Sequence, residues 1–333
     1  MSYSSREVHL VSRPMGEPTP ANFEVVTAEL PALQPGQVLV RNRYLSVDPY
    51  MRGRMVDRKS YVPPFRLGEV MTGGAVGEVV ESNGGPFQAG DWVQSMQGWR
   101  EAFVSDGRGL SKVDPALAPL PAYLGVMGMP GLTAYVGLLD MGKPQAGETV
   151  YVSGAAGAVG SIVCQIAKLK GCYVTGSAGS DAKTAWLMQT AGVDAAFNYK
   201  TTPVPAGLAR SCPNGIDVFF DNVGGDTLEA ALGRMNDFGR IAACGSISLY
   251  NATRPEPGPR NLGLIVPKRL TLQGFIVSDH DDRMHDFYRD MSRWIAAGRI
   301  KWEETVYSGI DNAVSAFLGL FSGKNLGKMV VEI

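Results

Sequence analysis

Residues 149–160, Thr-Val-Tyr-Val-Ser-Gly-Ala-Ala-Gly-Ala-Val-Gly, restrict this chain more than any other stretch. An apolar run, Val150–Val152, stops in small residues, and apolar positions then recur at helical spacing from Ala158 to Leu169. That order predicts strand, glycine turn, helix. The first turn of a helix carries N–H groups with no intrahelical partner, so it can hold an anion such as the pyrophosphate of a dinucleotide. On this reading Gly157, Ala158, Val159 and Gly160 form the pyrophosphate turn. Gly157 permits close backbone approach, and Gly160 lets the helix lie tight on the strand. The usual first glycine of such a turn is Ala155 here, preceded by Gly154. The plain alternative is a tight strand-to-helix turn that binds nothing.

The residues after this unit keep its rhythm. The pattern predicts strand Tyr173–Ser177, helix Asp181–Ala191, strand Ala195–Asn198, helix Ala206–Ser211, strand Ile216–Phe220 and helix Thr227–Met235. Strands Arg240–Cys244 and Leu270–Val277 follow, then a helix over Asp282–Ala297 with Met284, Phe287, Met291, Trp294 and Ile295 on one packing face. Alternation of this kind predicts an α/β domain with a doubly wound parallel sheet of Rossmann type and right-handed crossovers.

Residues 1–125 lack that rhythm. Short β-rich runs at Val8–Val11, Val38–Val47, Ala75–Glu81, Trp92–Met96 and Ala102–Val104 are separated by Pro35-Gly36 and Gly90-Asp91. They predict a small, mostly antiparallel, barrel-like domain. Gly73 and Gly74 lead into a strand, so they suit a bend or bulge better than a second phosphate loop. Residues 300–333 read as β-rich again and are expected to return to the first domain. The expected division is 1–125, 126–299 and 300–333, with the stretch around Met127–Tyr135 as the joining helix.

Composition narrows the class. With 333 residues, 45% hydrophobic and 19% charged, the chain can build about two cored domains. A formal net charge of -1, with no basic run among aromatics, gives no electrostatic case for nucleic acid or an anionic membrane. No apolar stretch approaches the roughly 20 residues of a membrane helix, and the N-terminus lacks a signal-peptide core. The cytoplasm is the expected location. Cys164, Cys172, Cys212 and Cys244 show no metal-ligand spacing and are expected as free thiols. His9, His280 and His285 stand outside any zinc pattern, so no metal is expected.

The end of the second Rossmann strand selects the dinucleotide, because an acid there binds the ribose 2′-hydroxyl of NAD. Here Gly176-Ser177-Ala178-Gly179-Ser180-Asp181-Ala182-Lys183 puts no acid directly on the strand end. Ser180 is placed to cap the next helix, and Lys183 falls in its first turn. A hydroxyl, backbone N–H groups and an ammonium suit the 2′-phosphate of NADP(H). Asp181 reads as helix N-terminal charge. Lys183 alone would read as a solvated helix lysine. Asp221-Asn222-Val223-Gly224-Gly225 and Cys244–Asn251 follow the fourth and fifth strands, at the edge where a nicotinamide ribose would rest. Asp221 alone equally suits a turn-former. Hydride transfer needs no side-chain nucleophile, since the cofactor supplies the reactive atom. It needs orientation, a dry pocket and a proton donor. Tyr50 and Tyr250 are candidates, although packing would account for either taken singly.

Seven stretches taken together carry a family likeness. They are Ser46-Val47-Asp48-Pro49-Tyr50-Met51-Arg52, Gly154–Gly160, Gly179–Lys183, Phe197-Asn198-Tyr199-Lys200, Asp221–Gly225, Cys244–Asn251 and Asn325-Leu326-Gly327-Lys328. Across essentially the whole chain the sequence resembles the zinc-independent medium-chain dehydrogenase/reductases, and among them the NADPH-dependent alkenal/enone double-bond reductases. The resemblance implies a GroES-like β-rich catalytic domain beside the Rossmann domain. It implies that Lys183 and Tyr199 hold the 2′-phosphate end and that Gly157–Gly160 hold the pyrophosphate. Asn222, Cys244, Gly245, Ser246, Ile247 and Tyr250, with Phe275, Ile276, Val277 and Asn325, would enclose the nicotinamide half. Tyr50 and Tyr250 would face the substrate. The implied reaction is hydride transfer from NADPH to the β-carbon of an α,β-unsaturated ketone or aldehyde, then protonation at the α-carbon. The implied assembly is a homodimer with paired nucleotide domains. A quinone reductase of the same superfamily and a non-catalytic NADPH-binding protein are the competing readings.

Overall fold

The computed structural model describes residues 3–333. The chain divides into two units, one comprising the residues up to Leu124 with Glu304–Ile333, the other Gly125–Glu303. The first unit opens with β1 (Tyr3–Leu10) and β2 (Phe23–Leu30), an antiparallel pair. Next come β3 (Val38–Ser46), α1 (Met51–Arg54), β4 (Ala75–Ser82), β5 (Trp92–Ser95), β6 (Ala102–Ser105) and β7 (Ser111–Lys112). β3 is the spine, pairing antiparallel with both β4 and β6. Val38 and Val40 enter one core cluster with Val79, Val93 and Phe103. Leu45 and Val47, further along, join Met51, Met55, Phe65, Met71 and Trp99 in another. Gly77 marks the close approach of β4 to β3, since a Cβ there would stand 2.6 Å from the Arg41 carbonyl oxygen. The register between the two strands also shifts near this point, as a bend requires.

The second unit contains α2 (Met129–Val136), β8 (Thr149–Val152), α3 (Gly160–Leu169), β9 (Tyr173–Ala178), α4 (Asp181–Gln189) and β10 (Ala195–Asn198). It continues with α5 (Val204–Ser211), β11 (Ile216–Asp221), α6 (Gly225–Arg234), β12 (Met235–Ala243), β13 (Thr271–Gly274) and α7 (Met284–Ala296). The strands are parallel in the order β10-β9-β8-β11-β12-β13, which is the doubly wound arrangement. All four residues of β8 are buried. The Tyr151 ring stacks on Phe219 at 4.9 Å, and its hydroxyl is satisfied by Ser177 Oγ at 2.8 Å. Residues Gly160 to Ala167 of α3 are all buried.

Gly160 seats this helix. A Cβ there would stand 2.5 Å from the Gly154 carbonyl oxygen and 2.8 Å from Ala155 Cα, both backbone atoms. Gly160→Ala should therefore cost about 1–3 kcal/mol in chemical denaturation, the range for overpacking. Gly157→Ala should cost less, because its nearest neighbour is at 3.3 Å. Equal losses at the two positions would refute this account of helix seating.

The tail adds β14 (Glu304–Ser308), α8 (Ala313–Phe321) and β15 (Lys328–Glu332). β15 pairs parallel with β14 and antiparallel with β3, which extends the first unit's sheet. Several sequence expectations need correction here. The tail is not β-rich throughout: Ala313, Ala316, Phe317 and Leu320 form the buried face of α8, a helical spacing inside an apolar run. The second unit runs to Glu303, and close to that end the Lys301 backbone is held at both its N–H and its carbonyl by the Gln165 amide of α3, each at 2.7 Å. The first boundary falls after Leu124. β2 had no predicted counterpart, although Phe23, Val25, Val26, Ala28 and Leu30 are apolar; in the fold only Phe23 is buried. The last parallel strand stops at Gly274, and Val277 already begins a 3-10 turn.

Candidate functional site

The turn after β8 has the shape of an anion cradle. Gly154 adopts φ +58°, a left-handed conformation that favours glycine. The Ala155 N–H donates to the Ser177 carbonyl at 2.9 Å, and the Gly157 N–H to the Gly154 carbonyl at 3.0 Å, which closes the turn. Gly157, Ala158 and Val159 are half-buried while Gly160 is fully buried. Helix α3 begins at Gly160, two residues later than the sequence pattern suggests, so Ala158 and Val159 belong to the turn.

At the end of β9, Ser180 caps α4: its Oγ accepts from the Lys183 N–H at 3.3 Å. Asp181 accepts from Asn198 Nδ2 at 2.8 Å, so its carboxylate is engaged with the β10 end. Tyr199 follows β10, and its N–H is held by the Ala178 carbonyl at 3.1 Å. A Cβ on Gly179 would stand 2.7 Å from Tyr199 Oη and 3.4 Å from Lys200 Cε, so glycine leaves room for both side chains. Lys183 is half-buried, and its ammonium is held below the ordinary lysine range first by burial and then by the charge of Lys200. Two cations, a phenol and a helix N-terminus meet here, and a phosphate dianion would relieve their mutual repulsion. Lys200 is the residue the sequence reading left without a role. The available signal was its charge beside Tyr199.

The next two strand ends form one braced platform. Asp221 is buried, and its Oδ1 accepts from Ser153 Oγ at 2.9 Å and from the Val223 and Gly224 N–H groups at 2.9 and 3.0 Å. Its carbonyl accepts from the N–H groups of Cys244 and Gly245. Burial pushes this carboxyl up, while these hydrogen bonds oppose the shift. Asp221 thus ties β8, β11 and β12 together. Asn222 Nδ2 donates to the Ser153 carbonyl at 2.7 Å, which sets the plane of its amide. Its own carbonyl receives the Ile247 N–H. A Cβ on Gly245 would stand 3.1 Å from Tyr250 Oη, so the Tyr250 phenol folds back over this loop. Ser246 lies against Gly224. Burial, then Asp221, pushes the Cys244 thiol up to about 12, so it is no nucleophile at neutral pH. Of Phe275, Ile276 and Val277, all half-buried, the Phe275 ring packs edge-on against Phe220 at 6.4 Å.

Two candidate residues lie in the first unit. Tyr50 follows Asp48-Pro49 at the start of α1, half-buried and packed on the cluster that holds Met51, Met55 and Phe65. Its phenol is pushed well above the ordinary tyrosine range by burial first and by Asp48 next, with Arg54 opposing. Arg54 lies over the Phe65 ring at 4.0 Å and donates to Thr72 Oγ1 at 2.9 Å. Asn325 Nδ2 donates to the Gly327 carbonyl at 2.9 Å in the turn before β15.

Residues 6–113 match the family described as the N-terminal domain of oxidoreductase, and residues 158–297 match the one described as zinc-binding dehydrogenase. The chain is 47% identical to prostaglandin reductase 1 of Bos taurus, covering 96% of each sequence. The chain belongs to the medium-chain dehydrogenase/reductase family, among its NADPH-dependent alkenal and enone reductases. It is 45% identical to the NADPH-dependent curcumin reductase of Escherichia coli K12, covering 97% of this chain and 95% of that one. The crystal structure of CurA from Vibrio vulnificus in complex with NADPH superposes with a TM-score of 0.94 at 45% identity, with 98% of each chain covered. Among the described residues of this family member, no group of three or more His, Cys, Asp or Glu side chains is placed to hold a metal ion. The zinc in one family description therefore has no matching donor set, and no step is assigned to it. No helix among the described residues is long and apolar enough to cross a membrane.

Proposed function

We propose that this enzyme reduces the carbon–carbon double bond of α,β-unsaturated ketones and aldehydes with NADPH. NADPH supplies the hydride when bound. The observation that carries the reading is the Ser180, Lys183, Tyr199 and Lys200 cluster, whose repulsive cations suit the 2′-phosphate that separates NADPH from NADH. Gly157 to Gly160 would receive the pyrophosphate. In the second unit, Asn222, Cys244 to Ile247 and Phe275 to Val277 would border the nicotinamide half, with Tyr250 the candidate substrate contact there. In the first unit, the family likeness makes Tyr50 a candidate substrate contact and Asn325 a further candidate. Hydride addition at the β-carbon leaves an enolate; Tyr50, its phenol neutral across the physiological range, is suited to donate an O–H hydrogen bond to that substrate oxygen, and Tyr50, Tyr250 or water gives the α-carbon its proton.

The protein works in the cytoplasm as a homodimer. Support for pairing comes from β13, an edge strand whose four residues are all exposed, with Leu272 at 41% and the neighbouring Val266 at 79%. A partner laid against it is one way such an edge is protected. Incubation with deuterium-labelled NADPH and a simple enone should place the label on the β-carbon, read by NMR, with activity unchanged by EDTA. Label on the carbonyl carbon, or turnover of quinones alone, would overturn the reading.

A further inference from the structure

The first unit holds a buried ion pair that the reaction scheme above does not use. Lys328, in β15, is 3% exposed, and Asp48 is 5% exposed. Their Nζ and Oδ1 atoms are 3.2 Å apart. Lys328 Nζ also donates to the Val47 carbonyl at 2.8 Å and to the Met329 carbonyl at 2.6 Å, which accounts for three donor directions. On the other side Ser46 Oγ donates to Asp48 Oδ2, and the Asp48 carbonyl receives the Met51 N–H that opens α1. The pair therefore clamps the whole Ser46–Met51 turn to the final strand, and Tyr50 sits on that turn.

Stability does not readily account for such a pair. Two charges this deeply buried lose their hydration, and an apolar pair of similar volume would usually serve the fold as well. What an apolar pair could not do is hold a fixed carboxylate two residues from the tyrosine. We propose that Asp48 and Lys328 are positioning residues that set the place of the Tyr50 hydroxyl. This deepens the reading of Tyr50 given above and rests on it.

The test is a double-mutant cycle in the full-length enzyme. Asp48→Asn keeps the volume and, through its amide oxygen, the bond from Lys328, while the bond to Ser46 reverses, the amide N–H donating to Ser46 Oγ, and the charge is removed. It should lower kcat with an enone about tenfold, the equivalent of one 1.4 kcal/mol interaction. The Michaelis constant for NADPH should move less than about twofold, the usual noise of an uncoupled site. In a Tyr50→Phe background the same Asp48→Asn change should have no further effect on kcat. An equal loss of kcat in both backgrounds would overturn the proposal. A reaction-independent readout separates this idea from the assignment of the reaction. The alkaline absorbance change of Tyr50, taken as the difference from Tyr50→Phe, reports its ionisation directly. Tyr50 is faced by Asp48, Arg54 and Tyr61. Removing the Asp48 charge should bring ionisation to lower pH, and an unmoved titration would overturn the proposal even if enones are turned over. If wild type turns over no enone yet the titration moves as stated, the reaction assignment fails and the placement of Tyr50 by the pair survives.

Discussion

Lys328→Met should cost the protein about 3–5 kcal/mol of folding stability, the loss expected when one partner of a buried pair is removed. The reason is asymmetric. Methionine fills the space, but Asp48 stays buried with its charge uncompensated, and the Val47 and Met329 carbonyls lose their donor. Asp48→Asn combined with Lys328→Met should recover much of the loss, since no lone charge is left. Urea denaturation of the three variants measures this, and a loss below about 1 kcal/mol for the single change would mean that water reaches the site. The wild-type pair also predicts a pH dependence. Burial, outweighing the attraction of Asp48, holds the Lys328 ammonium below its ordinary range. The unfolded chain then binds that proton more tightly than the folded one. Stability conferred at this site should rise with pH up to the ordinary lysine value near about 10.4 and be level above it. The methionine variant should lack that rise.

The second large effect concerns cofactor choice. Lys183→Ala should raise the Michaelis constant for NADPH about tenfold to a hundredfold, the loss of one charge-assisted phosphate contact of roughly 1.5–3 kcal/mol. The constant for NADH should hardly move, because NADH offers no 2′-phosphate. Lys200→Ala should act in the same direction. The double change should lose less than the sum, since each lysine currently opposes the other's charge. Steady-state kinetics with both cofactors decides it. Parallel losses for NADPH and NADH would remove these lysines from the phosphate end.

Much of the nucleotide unit was legible in the linear order. Val150–Val152, the glycine turn and the apolar helix behind it obey local rules: a strand period, a left-handed glycine, a cap at Ser180. Such signals span a few residues, so no tertiary information is needed to see them. The same holds for the absence of an acid at the end of β9. The Tyr50 and Asn325 assignments came through family likeness; spacing alone left the tyrosine between packing and chemistry.

What the tertiary structure decided were matters of distance between parts far apart in the chain. Helix α8 lay inside a run of apolar and small residues that local reading took for strands, and only its packing through Phe317 against Trp99 and Phe23 selects the helix. Asp221 alone suited a turn-former equally well, yet its carboxylate braces the β8 end through Ser153 and its backbone carbonyl braces the loop after β12. Lys200 gained significance because folding put it beside Lys183. Lys328 and Asp48 are separated by most of the chain, and nothing in either segment announces the other. Local propensity acts over one or two turns of backbone, whereas a buried charge can be satisfied only by whatever the completed fold brings within about 3 Å of it.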